Sequence, residues 1–422
     1  MNKKILFLIL SVLLCLVLII TGVTVGRRGT QSGDVTETPK PPVTITPPKP
    51  DTLPPSADTS SPETAPPPPY AGKTFTILAP DDGELLLGDS AYGDAVSEAV
   101  YERNLAVCRE TGVTLLFKYS LDLYGDIEKS KLSGSESPDL LMLNMREDGS
   151  RFLMNGGLSD VSAFYESETG LDADFNSEMR VANKQFFILG ELTPSSVLAR
   201  HYLKVKADSS TAELLINASK GGELTYDALF EVLADVGSSL SLNAQGLHAM
   251  LSEGIFSLSD SGEADVYLDG YVSGAVALSA YSAQINADTE AEICVGTYSG
   301  DGYVYLPLPR YEGRGEGTAA DMSRLFPLAL TDDCRDREMS FFILSHMIRL
   351  SSGLTELAIS EYKLPKNVAP VYCLYDIFGW GDFSEHAYKS LTKNKTESLK
   401  KTLEAPKRAS LQALYILFER NS

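Results

Sequence analysis

KTFTILAPDDGELLLGDSAYGDAVSEAVYERNLAVCRETGVTLLFK, Lys73 to Lys118, is the stretch on which the reading of the fold turns. Thr74–Leu78 alternates polar and apolar side chains and is rich in β-formers, so it reads as a strand, and Pro80-Asp81-Asp82-Gly83 closes it with turn residues. A helical pattern runs from about Asp94, with Val96, Val100, Leu105 and Val107 apolar and Glu98, Glu102, Arg103 and Asn104 polar. Gly112 stops that helix, and Val113–Phe117 is a second apolar strand. One strand–helix–strand unit implies a parallel pair with a right-handed crossover. Open parallel sheets bind ligands at the carboxyl ends of their strands. The acidic loop Ala79–Tyr92 occupies such an end, which makes Asp82 and Tyr92 candidate ligand contacts.

Further along, Tyr124–Leu132 has helical spacing, and Asp139–Leu143 is a short apolar run that reads as another buried parallel strand. Asn144 follows at its carboxyl end and is either a binding residue or a turn or helix cap. Thr225 is placed to cap a helix carrying Leu229, Leu233 and Val236, and Asp336–Leu350 is strongly amphipathic. Tyr303–Tyr311 carries Pro307 and Pro309 at alternate positions, which suits an edge or a connection and not a central strand. Pro370–Phe383 gathers Tyr372, Tyr375, Phe378 and Trp380 around Asp376 and Asp382. Rings for stacking beside carboxylates for hydroxyl hydrogen bonds are what a sugar site uses, and a packed core-capping loop uses the same residues. Asp376 and Trp380 are the candidates taken from it.

The segment Gly93–Asn104, GDAVSEAVYERN, resembles the signature GD-x-(L/V)-N-(D/E)-A-V-Y-E-R-N of extracellular solute-binding proteins of the family 1 type, found in clostridial anaerobes, with Ser97 where Asn is usual. Arg151–Val161, Asn183–Leu192, Glu223–Leu229, Tyr303–Tyr311 and Asp336–Leu350 resemble later segments of the same family in the same order. The turn Gly of the Asn183–Leu192 hairpin is absent, and Leu224 stands where Trp is usual. The resemblance implies an α/β, two-lobed fold of the type II periplasmic-binding-protein kind. Lobe 1 would take residues 73–195 and 305–350, and lobe 2 residues 196–304 and 351–422. It also implies a cleft between the lobes, no catalysis, and capture of a solute, often an oligosaccharide, for ABC permease subunits. Glu191 falls where relatives often carry Asp near the cleft. A single Trp in the chain leaves ring stacking to twenty tyrosines.

Ile5–Gly26 is a run of twenty-two uncharged residues flanked by Lys3-Lys4 and Arg27-Arg28. It is long enough to span a hydrocarbon core of ~30 Å, and residues 1–28 read as a signal anchor holding the rest outside the cell. Residues 29–72 carry thirteen of the twenty-two prolines and read as a disordered Pro/Thr-rich tether.

Beyond Arg28 stand 32 Lys and Arg against 57 Asp and Glu. Such an acidic chain excludes tracking of a phosphate backbone, so no nucleic-acid partner is expected. Cys108, Cys294, Cys334 and Cys373 lie far apart without a C-x-x-C pair, so neither a zinc site nor any cofactor is implied. An exported chain allows one disulfide, Cys294–Cys334 or Cys334–Cys373. The four histidines form no nucleophile–base motif, and no carboxylate spacing marks a glycosidase pair. The alternative to solute import is a sensor or protein-interaction module embedded in the cell wall on a degenerate binding-protein fold.

Overall fold

The structure is a computed structural model and describes residues 39–47, 68–83, 87–90, 93–220, 224–251, 256–258, 264–266, 268–286, 291–310, 317–378, 381–393 and 399–421. Its strands are β1 (Val43–Ile45), β2 (Thr74–Pro80), β3 (Thr114–Ser120), β4 (Leu140–Met142), β5 (Tyr202–Lys206), β6 (Leu240–Ser241) and β7 (Phe256–Leu258). They continue as β8 (Ala264–Val266), β9 (Ile285–Asn286), β10 (Ile293–Gly296), β11 (Tyr303–Leu306), β12 (Gly317–Ala319), β13 (Leu328–Ala329) and β14 (Ala369–Val371). Two five-stranded sheets result, ordered β1-β3-β2-β4-β13 and β11-β5-β10-β6-β9, with two-stranded ladders β12-β14 and β7-β8. The fold is mixed α/β.

The Lys73–Lys118 unit forms as its pattern requires. β2 pairs parallel with β3, and the helix Ala95–Thr111 connects them. Phe75, Ile77 and Ala79 are buried on alternate positions, as are Leu115 and Phe117. Asp94 caps the helix by accepting from Ser97 N at 2.7 Å, and Ser97 Oγ donates back to Asp94 at 3.0 Å. Ser at this position of the signature therefore closes a cap of its own. Gly112 ends the helix at φ 78°, where a Cβ would stand 2.7 Å from Ala71 Cα. Only glycine fits there.

The last two residues of the signature are a clamp. Arg103 is buried and donates to Leu192 O, to Ser351 Oγ at 3.0 Å and to Asn104 Oδ1. Asn104 Nδ2 in turn donates to Leu87 O and Gly88 O at 2.6 and 2.9 Å. The pair thus pins the loop after β2 to the helix, and the helix to two distant turns.

In the first sheet β2 lies between β3 and β4 and is parallel to both, so strand order reverses at β2. In the second, β6 lies between β10 and β9 and is parallel to both. Each sheet therefore has a switch point at the carboxyl end of its central strands, where open α/β sheets bind ligands.

The chain passes between the sheets three times: ahead of β5, between β11 and β13, and after the helix Leu354–Glu361. The passes are tied together. Asp321 N donates to Ala199 O at 2.8 Å, Ala320 N to Val371 O at 2.9 Å, and Arg200 Nη1 to Val368 O at 2.8 Å.

Several expectations are corrected. The reading of residues 29–72 as disordered throughout fails at β1, which pairs antiparallel with β3 and buries Ile45. Three β-branched residues are enough to complete an edge whose partner is already built, and the prolines on either side cost nothing where no further ladder bond is needed. Lys40 secures this segment: its N–H donates to Asp81 and its ammonium pairs at 3.0 Å with Asp89, whose side chain is fully buried. Asn183–Leu192 forms isolated bridges, Val181 with Lys184 and Ile188 with Leu328, in place of a regular hairpin. Ala182 and Asn183 take φ 50° and 63°, supplying the turn that the missing glycine would have made. Cys334 is a free thiol, so neither proposed disulfide forms.

The expected anchor over residues 1–28 lies outside the described residues, and among those described no helix is long and apolar enough to cross a membrane. The helices Leu123–Ser133, Tyr226–Val236, capped by Thr225, and Arg337–Leu350 stand where their periodicity placed them. β11 is an edge strand, with Pro307 and Pro309 in the connection that leaves it.

Candidate functional site

A cavity of about 320 Å³ opens where the three passes meet. That volume is at the lower end of the range for small-molecule sites. Its wall includes Arg146 from the turn after β4, Asn243, Gln245 and His248 from the segment after β6, and His201 from the first pass. Asp321 comes from the second pass, Asp376 from the turn after β14, and Glu385 from the helix Gly381–Thr392. Both switch points and all three connections contribute.

Local rules explain how each side chain is held. Asn144 accepts from Arg146 N and Glu147 N, both at 3.1 Å, and its amide donates to Ser323 O at 2.9 Å. Its two functions, capping the Met145–Gly149 turn and gripping the second pass, place Arg146 and Met322 on the same wall. Asn243 caps the helix Ala244–Leu251 through Gly246 N at 2.7 Å, which fixes His248 one turn inside. Asp321 accepts from Ser323 N and Oγ.

The electrostatics are uneven. His201 is buried with Nδ1 2.8 Å from Ala319 O, so Nδ1 carries the proton. Burial without a paired carboxylate pushes its pKa below the ordinary imidazole value, and at neutral pH the ring is uncharged. His248 Nε2 lies 3.1 Å from Asp376 Oδ1. Asp376 Oδ2 is buried and receives no hydrogen bond within the protein. Beneath Arg146, Asp148 accepts from Asn144 N, and desolvation pushes its carboxyl up to about 6.

The candidates read from the sequence scatter. Asp376 lines the cavity. Asn144 stands beside it as the cap just described. Asp82 falls in the turn Asp81–Gly83 at the carboxyl end of β2. Glu191 is elsewhere: its carboxylate accepts from Gly353 N at 2.7 Å and caps the helix Leu354–Glu361. Tyr92 and Trp380 lie outside the described residues. Sequence reasoning passed over Arg146, His201, Asn243, Gln245, His248, Asp321 and Glu385. For Arg146 and Asn243 a signal was present, since each follows an apolar run at a strand end. The others had none that local pattern could supply. Among the described residues no cluster of three or more His, Cys, Asp or Glu could hold a metal ion.

No protein-family model matches the chain, and no curated protein does. Solved structures do resemble it. One is the ABC transporter associated binding protein of B. animalis subsp. lactis in complex with β-1,6-galactobiose, at 9% identity and TM-score 0.45, covering 80% of this chain and 98% of that one. Another is an ABC transporter solute-binding protein from Thermotoga lettingae bound with α-D-tagatose, at 12% identity and TM-score 0.45, with coverage of 82% and 100%. A third is a family 1 extracellular solute-binding protein from Bifidobacterium longum subsp. infantis, at 12% identity and TM-score 0.47, with coverage of 79% and 98%. All three are described as binding proteins.

Proposed function

We propose that this chain is an extracellular solute-binding protein that captures a small polar solute, a carbohydrate foremost, and delivers it to the permease subunits of an ABC importer. One observation carries the reading: a single cavity is walled by both switch points and by all three connections between the sheets. A solute seated there touches parts of the chain that belong to different sheets. Any relative motion of the sheets changes those contacts, and a ligand that bonds to both sides favours the closed arrangement by its stronger affinity for it. The lining groups suit hydroxyls: amide, imidazole, guanidinium and carboxylate side chains that can donate or accept at close range. The Gly93–Asn104 signature supports the same reading.

In this proposal lobe 1 comprises residues 73–195 and 305–350 with β1 added to its edge. Lobe 2 comprises residues 196–304 and 351–422. Residues 1–28 tether the protein to the cell membrane with the lobes outside. The reading contains no catalytic step.

A thermal-shift and calorimetric screen of the full chain against mono- and oligosaccharides tests it, with galactobiose and tagatose among the first ligands. A ligand at a hundredfold excess over Kd adds ~2.7 kcal/mol to stability. A saturable shift with one sugar class, reduced in Arg146→Ala and in His248→Ala at the same ligand concentration, supports capture at this cavity. A folded chain that shifts with no sugar, and that recovers wall or membrane proteins but no permease, favours the sensor or interaction module.

A further inference from the structure

We propose that the solute taken by this cavity carries an ammonium group beside its hydroxyls, making it an amino sugar and not its neutral parent. The inference rests on the solute-capture reading above and adds the charge of the ligand.

Three carboxylates, Asp321, Asp376 and Glu385, reach the wall from three separate parts of the chain, and Arg146 is the one guanidinium among the described lining residues. Asp321 and Asp376 are buried. A small neutral sugar does not balance such a wall, whereas an ammonium does.

The second observation is Asp376 itself. His248 occupies its Oδ1, and its Oδ2 is buried with no hydrogen bond inside the protein. A buried carboxylate oxygen left without a donor is costly, and closure of the lobes on a ligand rich in donors removes that cost. An ammonium offers three donors and no acceptor, which is the complement of a wall with carboxylates in excess. Gln245, Asn243 and His201 remain for the ring hydroxyls. The formal charge of −21 on the whole chain acts in the same direction, concentrating small cations at the surface and speeding their entry.

The test is isothermal titration of the full chain, held in detergent micelles at low salt, with glucosamine, glucose and N-acetylglucosamine and with the matching galactose set. The proposal expects an amino sugar to bind at least tenfold tighter than both its neutral parent and its acetylated form. The margin should shrink as salt is raised and close in Asp376→Asn. Because Asp376 is buried against His248, Glu385→Gln provides a second variant at an exposed position, and it should narrow the margin without affecting the melting temperature. If a neutral or acetylated sugar binds as tightly as its amine, the proposal is overturned and solute capture stands. If an amine without hydroxyls, such as ethylamine, binds as tightly as the amino sugar, the sugar part is overturned. If no sugar of either kind binds, the proposal and the solute-capture reading fall together.

Discussion

Arg103 shows how a buried cation acts through the fold. It is buried, and desolvation lowers its pKa to about 10, so it remains a cation at neutral pH. Arg103→Leu removes donors from Leu192 O, Ser351 Oγ and Asn104 Oδ1 at once and releases the loop that Asn104 holds. The expected loss is about 3 kcal/mol or more in urea unfolding, and a loss under about 1 kcal/mol would sink the clamp interpretation. Asp148 makes the opposite prediction. Its carboxyl is raised by burial from 3.8 to about 6. A raised acid favours the protonated form in the folded state, so its contribution to stability is fully present below about pH 4. It is lost as pH rises through 6, and the group then costs up to about 3 kcal/mol. Asp148→Asn keeps an acceptor for Asn144 N and removes the charge. Denaturation at pH 4 and pH 7.5 should show the variant equal to the parent at the lower pH and more stable at the higher. A gain equal at both would assign the effect to something other than the carboxylate.

At the scale of elements, the informative case is β1. Three residues in a proline-rich background carry too little pattern to be read as a strand, because the partner that orders them, β3, lies seventy residues on. The Lys73–Lys118 unit was legible for the reason β1 was not: its caps, its period and its stop are all local. The same distinction separates the readable part of the site from the rest. Asn144 and Asp376 stand in runs that announce a strand end or an aromatic turn. His248 meets Asp376 across 128 residues, and β6, which leads to His248, is two residues long. Tertiary pairing decides such contacts, and no window of the sequence contains it. The consequence for β1 is measurable. A chain beginning at Lys73, the boundary that the sequence suggests, loses Ile45 from the core and Lys40 from Asp89. It should be less stable than one beginning at Pro39 by at least about 2 kcal/mol. It should also associate more readily at high concentration, since the open edge of β3 is a template for another strand. Equal melting temperatures and equal sedimentation of the two chains would show β1 to be dispensable.

For the whole molecule the question is whether the two sheets move as one ligand-gated device. The passes that join them are cross-bonded at Ala199–Asp321 and Ala320–Val371, so the joint is a short, tied region and not a loose linker. In the proposed capture, closure on a solute requires bonds from both sides of the cavity. Arg146 stands at the carboxyl end of the first sheet, and Asn243 and His248 follow β6 of the second. Arg146→Ala should therefore weaken binding by roughly tenfold to a hundredfold, the range of a charge-assisted hydrogen bond at about 1.5–3 kcal/mol. It should also abolish contraction in small-angle scattering, because the solute still meets the second side and no longer draws in the first. His248→Ala should weaken binding through the other wall. A solute that contracts the parent and fails to contract Arg146→Ala at saturation would establish that the energy for closure comes from the first-sheet contact. Contraction preserved in that variant would place the closing contacts on the connecting passes themselves, at His201 and Asp321, and make Arg146 a contributor to affinity alone.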